Sequence, residues 1–131
     1  MAKYKPVTKM QTYGIHSQWQ SKSKDLPSIQ TFTTDIPAKI DIEFGFIVNI
    51  KKARGAKLQF CIAHPGILDV DGNVRAPFTG DVHVTNSDWN FYLGDTVWQP
   101  IADKCGDWRM TVSLDGKILA DKTFNISLEH C

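Results

Sequence analysis

The side chains best able to do chemistry in this chain lie between positions 61 and 73. Asp69-Val70-Asp71-Gly72-Asn73 sets carboxylates at alternate positions beside a glycine, the beginning of an oxygen-rich calcium loop. A complete loop of that kind needs a glutamate further along and a helix on either side, and the sequence offers neither. Asp, Gly and Asn are also what a tight β-turn requires, and the segment is read as a turn. Cys61 and His64 suggest a thiol–imidazole pair, but a separation of three on a strand sends the two side chains to opposite faces. The thiol is therefore read as a small, half-buried side chain rather than an activated nucleophile. His16, His83 and His130 lie far apart, without zinc-ligand spacing. No serine sits in a Gly-x-Ser-x-Gly elbow, and no glycine-rich loop precedes a helix to cradle phosphate. Asn125-Ile126-Ser127 fits the glycosylation acceptor pattern but falls in a strand and is read as chance. These readings assign no catalytic residue, no metal ligand and no cofactor. Any enzyme would have to gather Asp69, Asp71, His64 or His83 in a cleft.

Charge narrows the partners. The 15 basic and 14 acidic side chains leave a net +1, far from the basic excess of a phosphate-binding surface, so no nucleic acid is expected. The densest basic stretch, Lys51, Lys52, Arg54 and Lys57, surrounds Gly55 and reads as a solvated turn. Four tryptophans and seven phenylalanines are mostly core material. Trp108 heads an apolar face. Trp89 and Trp98 flank a polar stretch, where an exposed ring would stack on a sugar or anchor a partner. Trp19 and Tyr92 belong to the same aromatic set.

The elements that must position these groups are strands. Ile40, Ile42, Phe44, Phe46, Val48 and Ile50 alternate with mostly polar or small residues, which predicts one long strand with a single buried face. A second strand runs from about Lys57 to His64, with Leu58, Phe60 and Ile62 inward and Pro65 ending it. Alternation also marks Tyr13–Ile15, Ile29–Thr34, Val82–Val84 and Trp89–Leu93. Trp108, Met110, Val112 and Leu114 share one face of a strand that turns at Asp115-Gly116, a pair suited to a type I′ hairpin. Leu119 and Phe124 are out of phase, which predicts a bulge between Ala120 and Thr123. Turns are expected at Asp25-Leu26-Pro27, Asp35-Ile36-Pro37, Arg54-Gly55, Asp71-Gly72-Asn73, Gly94-Asp95 and Cys105-Gly106-Asp107, with a short helical turn near Ile101–Lys104. The sum is an all-β chain: an immunoglobulin-like antiparallel β-sandwich of about seven to nine strands. Residues 1–8 are expected to be a flexible tail and residues 9–131 one domain. Three cysteines, Cys61, Cys105 and Cys131, an N-terminus unlike a secretory signal and no run of about 20 apolar residues point to a reducing, cytoplasmic setting with no membrane span.

One ordered set of short motifs goes further. Tyr13-Gly14, Thr34-Asp35-Ile36-Pro37, Phe44-Gly45-Phe46, His64-Pro65-Gly66, Gly106-Asp107-Trp108, Asp115-Gly116-Lys117-Ile118-Leu119 and Phe124-Asn125-Ile126 follow one another through the chain. Together, from about Tyr13 to Leu128, they resemble a bacterial domain-of-unknown-function family, number three-eight-five-nine. The resemblance implies a small bacterial β-sandwich and carries no activity and no site residues. The expected function is a non-catalytic binding or protein-interaction module. Its partner would meet the end loops or a sheet edge, including a homodimer through the Lys39–Lys52 strand if that strand lies at an edge. The alternative is a small enzyme, or a metal- or carbohydrate-binding protein, using a loop-end pocket.

Overall fold

The computed structural model describes residues 5–18 and 26–128. Among the described residues nine strands form two packed sheets. They are β1 (Val7–His16), β2 (Ile29–Phe32), β3 (Asp35–Pro37), β4 (Glu43–Lys51), β5 (Lys57–Ala63), β6 (Phe78–His83), β7 (Asp88–Thr96), β8 (Gly106–Leu114) and β9 (Lys117–Ser127). A 3-10 turn, Ala102–Lys104, precedes β8 where a helical turn was expected. Sheet A has the order β2-β1-β4-β7 and sheet B the order β3-β9-β8-β5-β6.

The predicted alternation builds the core. Phe44, Phe46, Val48 and Ile50 of β4 meet Leu58 and Ile62 of β5, Trp108, Met110 and Val112 of β8, and Phe124 and Ile126 of β9. Trp108 is wholly buried, with its ring edge-on to Phe44. Asp115 and Gly116 both take positive φ, as the type I′ hairpin demands.

Several details depart from the sequence reading. Gly94-Asp95 is not a turn but lies inside β7, where Gly94 and Asp95 pair with Gly45 and Phe44 of β4. The long strand begins at Glu43: Asp41 has φ +71°, which ends the alternation, and Ile40 stays exposed. That strand is also central, paired with β1 on one side and β7 on the other, and buried on both faces. It therefore offers no edge for another chain; among the described residues the edges are β2, β7, β3 and β6. Asp35-Ile36-Pro37 is not a turn but β3, parallel to β9 through Ile36↔Ile126, because Ile36 gains complete burial there. The sandwich thus includes one parallel pair. The β9 bulge lies at Leu119, between Ile118 and Ala120, just before the interval from Ala120 to Thr123 in which it was expected. Phe124 and Ile126 face inward as expected, and Ala120 joins them in the core. Val7 and Thr8 belong to β1, paired with Lys51 and Ile50, so the expected tail gives up its last two residues to the sheet.

β5 climbs towards the same end of the sandwich at which β4 and β8 begin. There the connections of residues 64–77 and 97–105 meet; this is called the loop end. The Arg54-Gly55 and Asp115-Gly116 turns lie at the opposite end.

Candidate functional site

Residues 67–75 form a miniature hairpin at the loop end. Leu68 bridges Val74, Asp69 N–H donates to the Asn73 carbonyl at 2.8 Å, and Arg75 N–H donates to the Ile67 carbonyl at 2.8 Å. Asp69 is the staple of its tip. One carboxylate oxygen accepts from the N–H groups of Asp71 at 2.9 Å and Asn73 at 3.0 Å. This is the turn chemistry read from the sequence, and it spends on the backbone an oxygen that a cation would otherwise use. Gly72, at φ +82°, closes the turn.

His64 fastens the base of this hairpin. Ile67 N–H donates to Nδ1 at 3.0 Å, so Nδ1 bears no proton; Nε2–H then donates to the Ala76 carbonyl at 3.1 Å. The ring rests between Phe78, 5.1 Å away, and Trp108, 6.3 Å away. Cys61 points to the opposite face of sheet B, beside Thr79 and Thr111, as the spacing predicted.

A second clasp comes from the neighbouring connection. Asp103 accepts from Leu68 N–H at 3.3 Å with one oxygen and from Lys104 Nζ at 2.5 Å with the other. Lys104 is 1% exposed. Its ammonium also donates to the Pro100 carbonyl at 2.9 Å and lies 4.4 Å from the centre of the Trp98 ring. Although partial burial opposes ionisation, the Lys104 ammonium and the Leu68 N–H hold the Asp103 carboxyl below its ordinary range. Trp98 is therefore half-buried over a cation, and Trp89 is stacked on Phe91; neither is a free platform.

Beside the exposed Asp71, Asn73 and Arg75, the hairpin presents apolar side chains to solvent. Val70 is 95% exposed, Val74 66% and Leu68 47%, whereas Ile67 is buried as the anchor.

The outer face of sheet A carries a buried polar network that the sequence reading missed. The Tyr92 hydroxyl donates to Glu43 Oε2 at 2.6 Å, and Thr96 Oγ1–H donates to Glu43 Oε1 at 2.8 Å. Tyr92 reaches Glu43 by lying across the strand where Gly14, Gly45 and Gly94 stand side by side. A Cβ on Gly94 would sit 2.2 Å from the Tyr92 oxygen. The His16 ring packs edge-on to Tyr92. Its Nδ1–H donates to the Gly14 carbonyl at 3.0 Å, and Nε2 accepts from Thr12 Oγ1–H at 2.9 Å. Burial lowers the His16 pKa against the opposing effect of its Gly14 bond. Burial, then the Glu43 carboxylate, pushes the Tyr92 phenol well above its ordinary range. The network therefore holds a neutral imidazole and a neutral phenol, each bonded at the polar atoms that proton transfer would need. In the sequence Glu43 looked like one polar residue on an exposed strand face, so nothing marked it out.

Asp95 lies nearby on the inner side of β7. Burial, with the Glu43 charge adding to it and the Thr96 N–H and Lys104 opposing, raises its pKa to about 6.

The remaining expectations resolve simply. His83 is exposed at the far end of β6, away from His64 and Asp69, so no cleft unites the four residues named for an enzyme. Among the described residues no cluster of three or more His, Cys, Asp or Glu has metal-holding geometry. Trp19, Asp25, His130 and Cys131 lie outside the described residues. A groove of about 410 Å³ crosses the outer face of sheet B, lined by Gln59, Cys61, Thr79, Asp81, Thr111 and Ser113. A loop-end hollow of about 480 Å³ borders Gln99, Pro100 and Ile101. Among the described residues no helix is long and apolar enough to cross a membrane.

Comparison with known proteins agrees with this geometry. The model of a family described as a domain of unknown function, DUF3859, matches residues 4–126. No curated protein matches the chain. Among solved structures, an immunoglobulin-like protein from Pseudomonas aeruginosa superposes with a TM-score of 0.74 at 21% identity, over 92% of this chain and 97% of that one. At that identity the likeness shows the fold.

Proposed function

The chain belongs to the DUF3859 family of domains of unknown function, and from that premise we propose that it is a non-catalytic protein-interaction module whose contact element is the hairpin of residues 67–75. The observation that carries this reading is the division of labour in that hairpin. Asp69, His64 and Asp103 fasten it, while Leu68, Val70 and Val74 face water beside the exposed Asp71, Asn73 and Arg75. Exposing three aliphatic side chains on a pinned loop gains the fold nothing; it presents a ready-made apolar contact at low entropic cost to a partner. The polar groups that would do chemistry elsewhere are already bonded: Glu43 to Tyr92 and Thr96, and His16 to Thr12 and the Gly14 carbonyl.

The test is site-specific photocrosslinking. A benzophenone side chain at Val70 should form a discrete adduct in cells. Untagged wild-type protein should compete it away, and a Val70→Asp/Val74→Asp double variant should not. An adduct equally abundant from a probe at Thr111, on the opposite sheet face, would refute the assignment.

A second reading is favoured by the groove on sheet B. Gln59, Thr79 and Thr111 present side-chain polar atoms that make no protein hydrogen bond among the described residues, as a small polar ligand such as a sugar would need. Its sign would be chemical-shift changes at these residues with a neutral oligosaccharide. The free thiols of Cys61 and Cys105 support a reducing, cytoplasmic setting, and the Pseudomonas neighbour supports a bacterial source.

A further inference from the structure

We infer that the hairpin of residues 67–75 is a proton-operated contact element, its base tied to the His64 ring only while that imidazole is neutral. The inference rests on the reading of this hairpin as the contact element, and it names how that element is regulated.

The geometry is specific about the proton. A backbone N–H can only donate, so the 3.0 Å bond from Ile67 requires a bare Nδ1. The 3.1 Å bond to the Ala76 carbonyl requires a proton on Nε2. One ring thus ties the first strand of the hairpin and the segment that follows its second strand, and both ties need the Nε2–H tautomer. A proton taken from solvent onto Nδ1 keeps the Ala76 bond and removes the Ile67 acceptor. Two N–H groups then face each other at hydrogen-bond distance, and the hairpin base must part from the ring. The ring is half-buried, so solvent protons can reach it. Histidine is the side chain whose charge ordinarily changes between about pH 5 and 8.

The groups packed on the ring are Phe78 from β6, Trp108 from β8 and the backbone of Ile67 and Ala76; none of them titrates. The charged side chains bonded to this loop are Asp103, through the Leu68 N–H, Arg75, through the Leu68 carbonyl, and Asp69, through the tip. None of them bonds the imidazole, so no carboxylate stands ready to take up the second N–H. The other fasteners contain no histidine.

The experiment is an NMR titration of the full chain without partner, from pH 8 to pH 5, reading the His64 ring nitrogens and the backbone amides together. The expected result is an Nε2–H tautomer at pH 8. The amides of Ile67, Leu68, Val70 and Val74 should then move with the ring's own midpoint. Exchange of the Ile67 amide, corrected for its intrinsic pH dependence, should quicken about tenfold, the size expected for one lost hydrogen bond. In His64→Asn, whose amide oxygen replaces Nδ1 as a non-titrating acceptor, the same amides should stay still. Should that variant not fold, the wild-type ring and amide midpoints decide alone. A ring that titrates while the hairpin amides stay still would overturn the inference, and so would a ring that carries its proton on Nδ1 at pH 8 or does not titrate in this range. Because no partner is present, each of these results leaves the crosslinking test of the contact element standing on its own.

Discussion

Replacing Asp95 by Asn should make this protein more stable at neutral pH and change how its stability depends on pH. Asp95 is held mostly out of water on the inner side of β7, with the Thr96 N–H bonded to its Oδ1 at 2.8 Å. Burial, with the Glu43 charge adding to it, raises its pKa from 3.8 to about 6. The folded state therefore binds this proton more tightly than the unfolded chain does. Its stabilising effect is fully present below pH 3.8 and is lost as pH rises through about 6. A shift of roughly 2 units at 1.36 kcal/mol each makes the loss at most about 3 kcal/mol. Asparagine keeps the acceptor for Thr96, cannot ionise and is nearly the same size. The wild type and Asp95→Asn should thus have similar stability near pH 4, and the variant should lead by up to about 3 kcal/mol at pH 8, less the lost attraction to Lys104. Urea unfolding followed by tryptophan fluorescence at unit steps from pH 4 to pH 8 measures this. The gap should appear as a midpoint difference on the order of 1 M, with m unchanged. Titrating groups that do not interact with Asp95 are common to both proteins and cancel in the difference curve. Parallel curves across the range, or a variant less stable at pH 8, would show that Asp95 is not the strained carboxylate described here.

The remaining predictions concern the two polar clusters. Tyr92→Phe removes the 2.6 Å bond to Glu43 and leaves a buried carboxylate with one fewer donor; a loss of about 1–3 kcal/mol by urea unfolding is expected, and a loss indistinguishable from zero would contradict the network. Gly94→Ala places a methyl 2.2 Å from the Tyr92 oxygen and 2.4 Å from the Phe44 carbonyl; it should cost more than Tyr92→Phe, and the double variant should recover part of the loss. Asp103→Ala strands the Lys104 ammonium, which is 1% exposed, and frees the Leu68 N–H; a loss of about 3 kcal/mol is expected, whereas Lys104→Met, which removes the buried charge itself, should cost much less in the same assay.

Much of the architecture follows from period alone. Alternation over Phe44–Ile50 and Trp108–Leu114 assigns inward and outward faces because a strand reverses its side chains at every residue, and the core contains those inward residues. Asp115-Gly116 specifies its hairpin because both positions must take positive φ. The turn at Asp69–Asn73 is likewise local chemistry. Strand order is not local. That β4 is central rather than an edge, that Asp35–Pro37 pairs in parallel with β9, and that Thr8 pairs with Ile50 all depend on which distant strand lies alongside. No periodicity encodes that.

The candidate site divides along the same line. The sequence by itself marks His64 and Asp69 as side chains able to do chemistry. It separates Cys61 from His64 by the faces of one strand, and it identifies the loop by its turn residues. Only the tertiary structure decides what those groups do. Residues 35 positions apart, Leu68 and Asp103, meet because two connections share one end of the sandwich. Glu43 becomes a buried acceptor because Tyr92, 49 residues on, lies across a glycine row drawn from three strands. Exposure is likewise a property of the folded surface: Val70 and Val48 are the same residue in the sequence, and only packing leaves one in water and seals the other in the core.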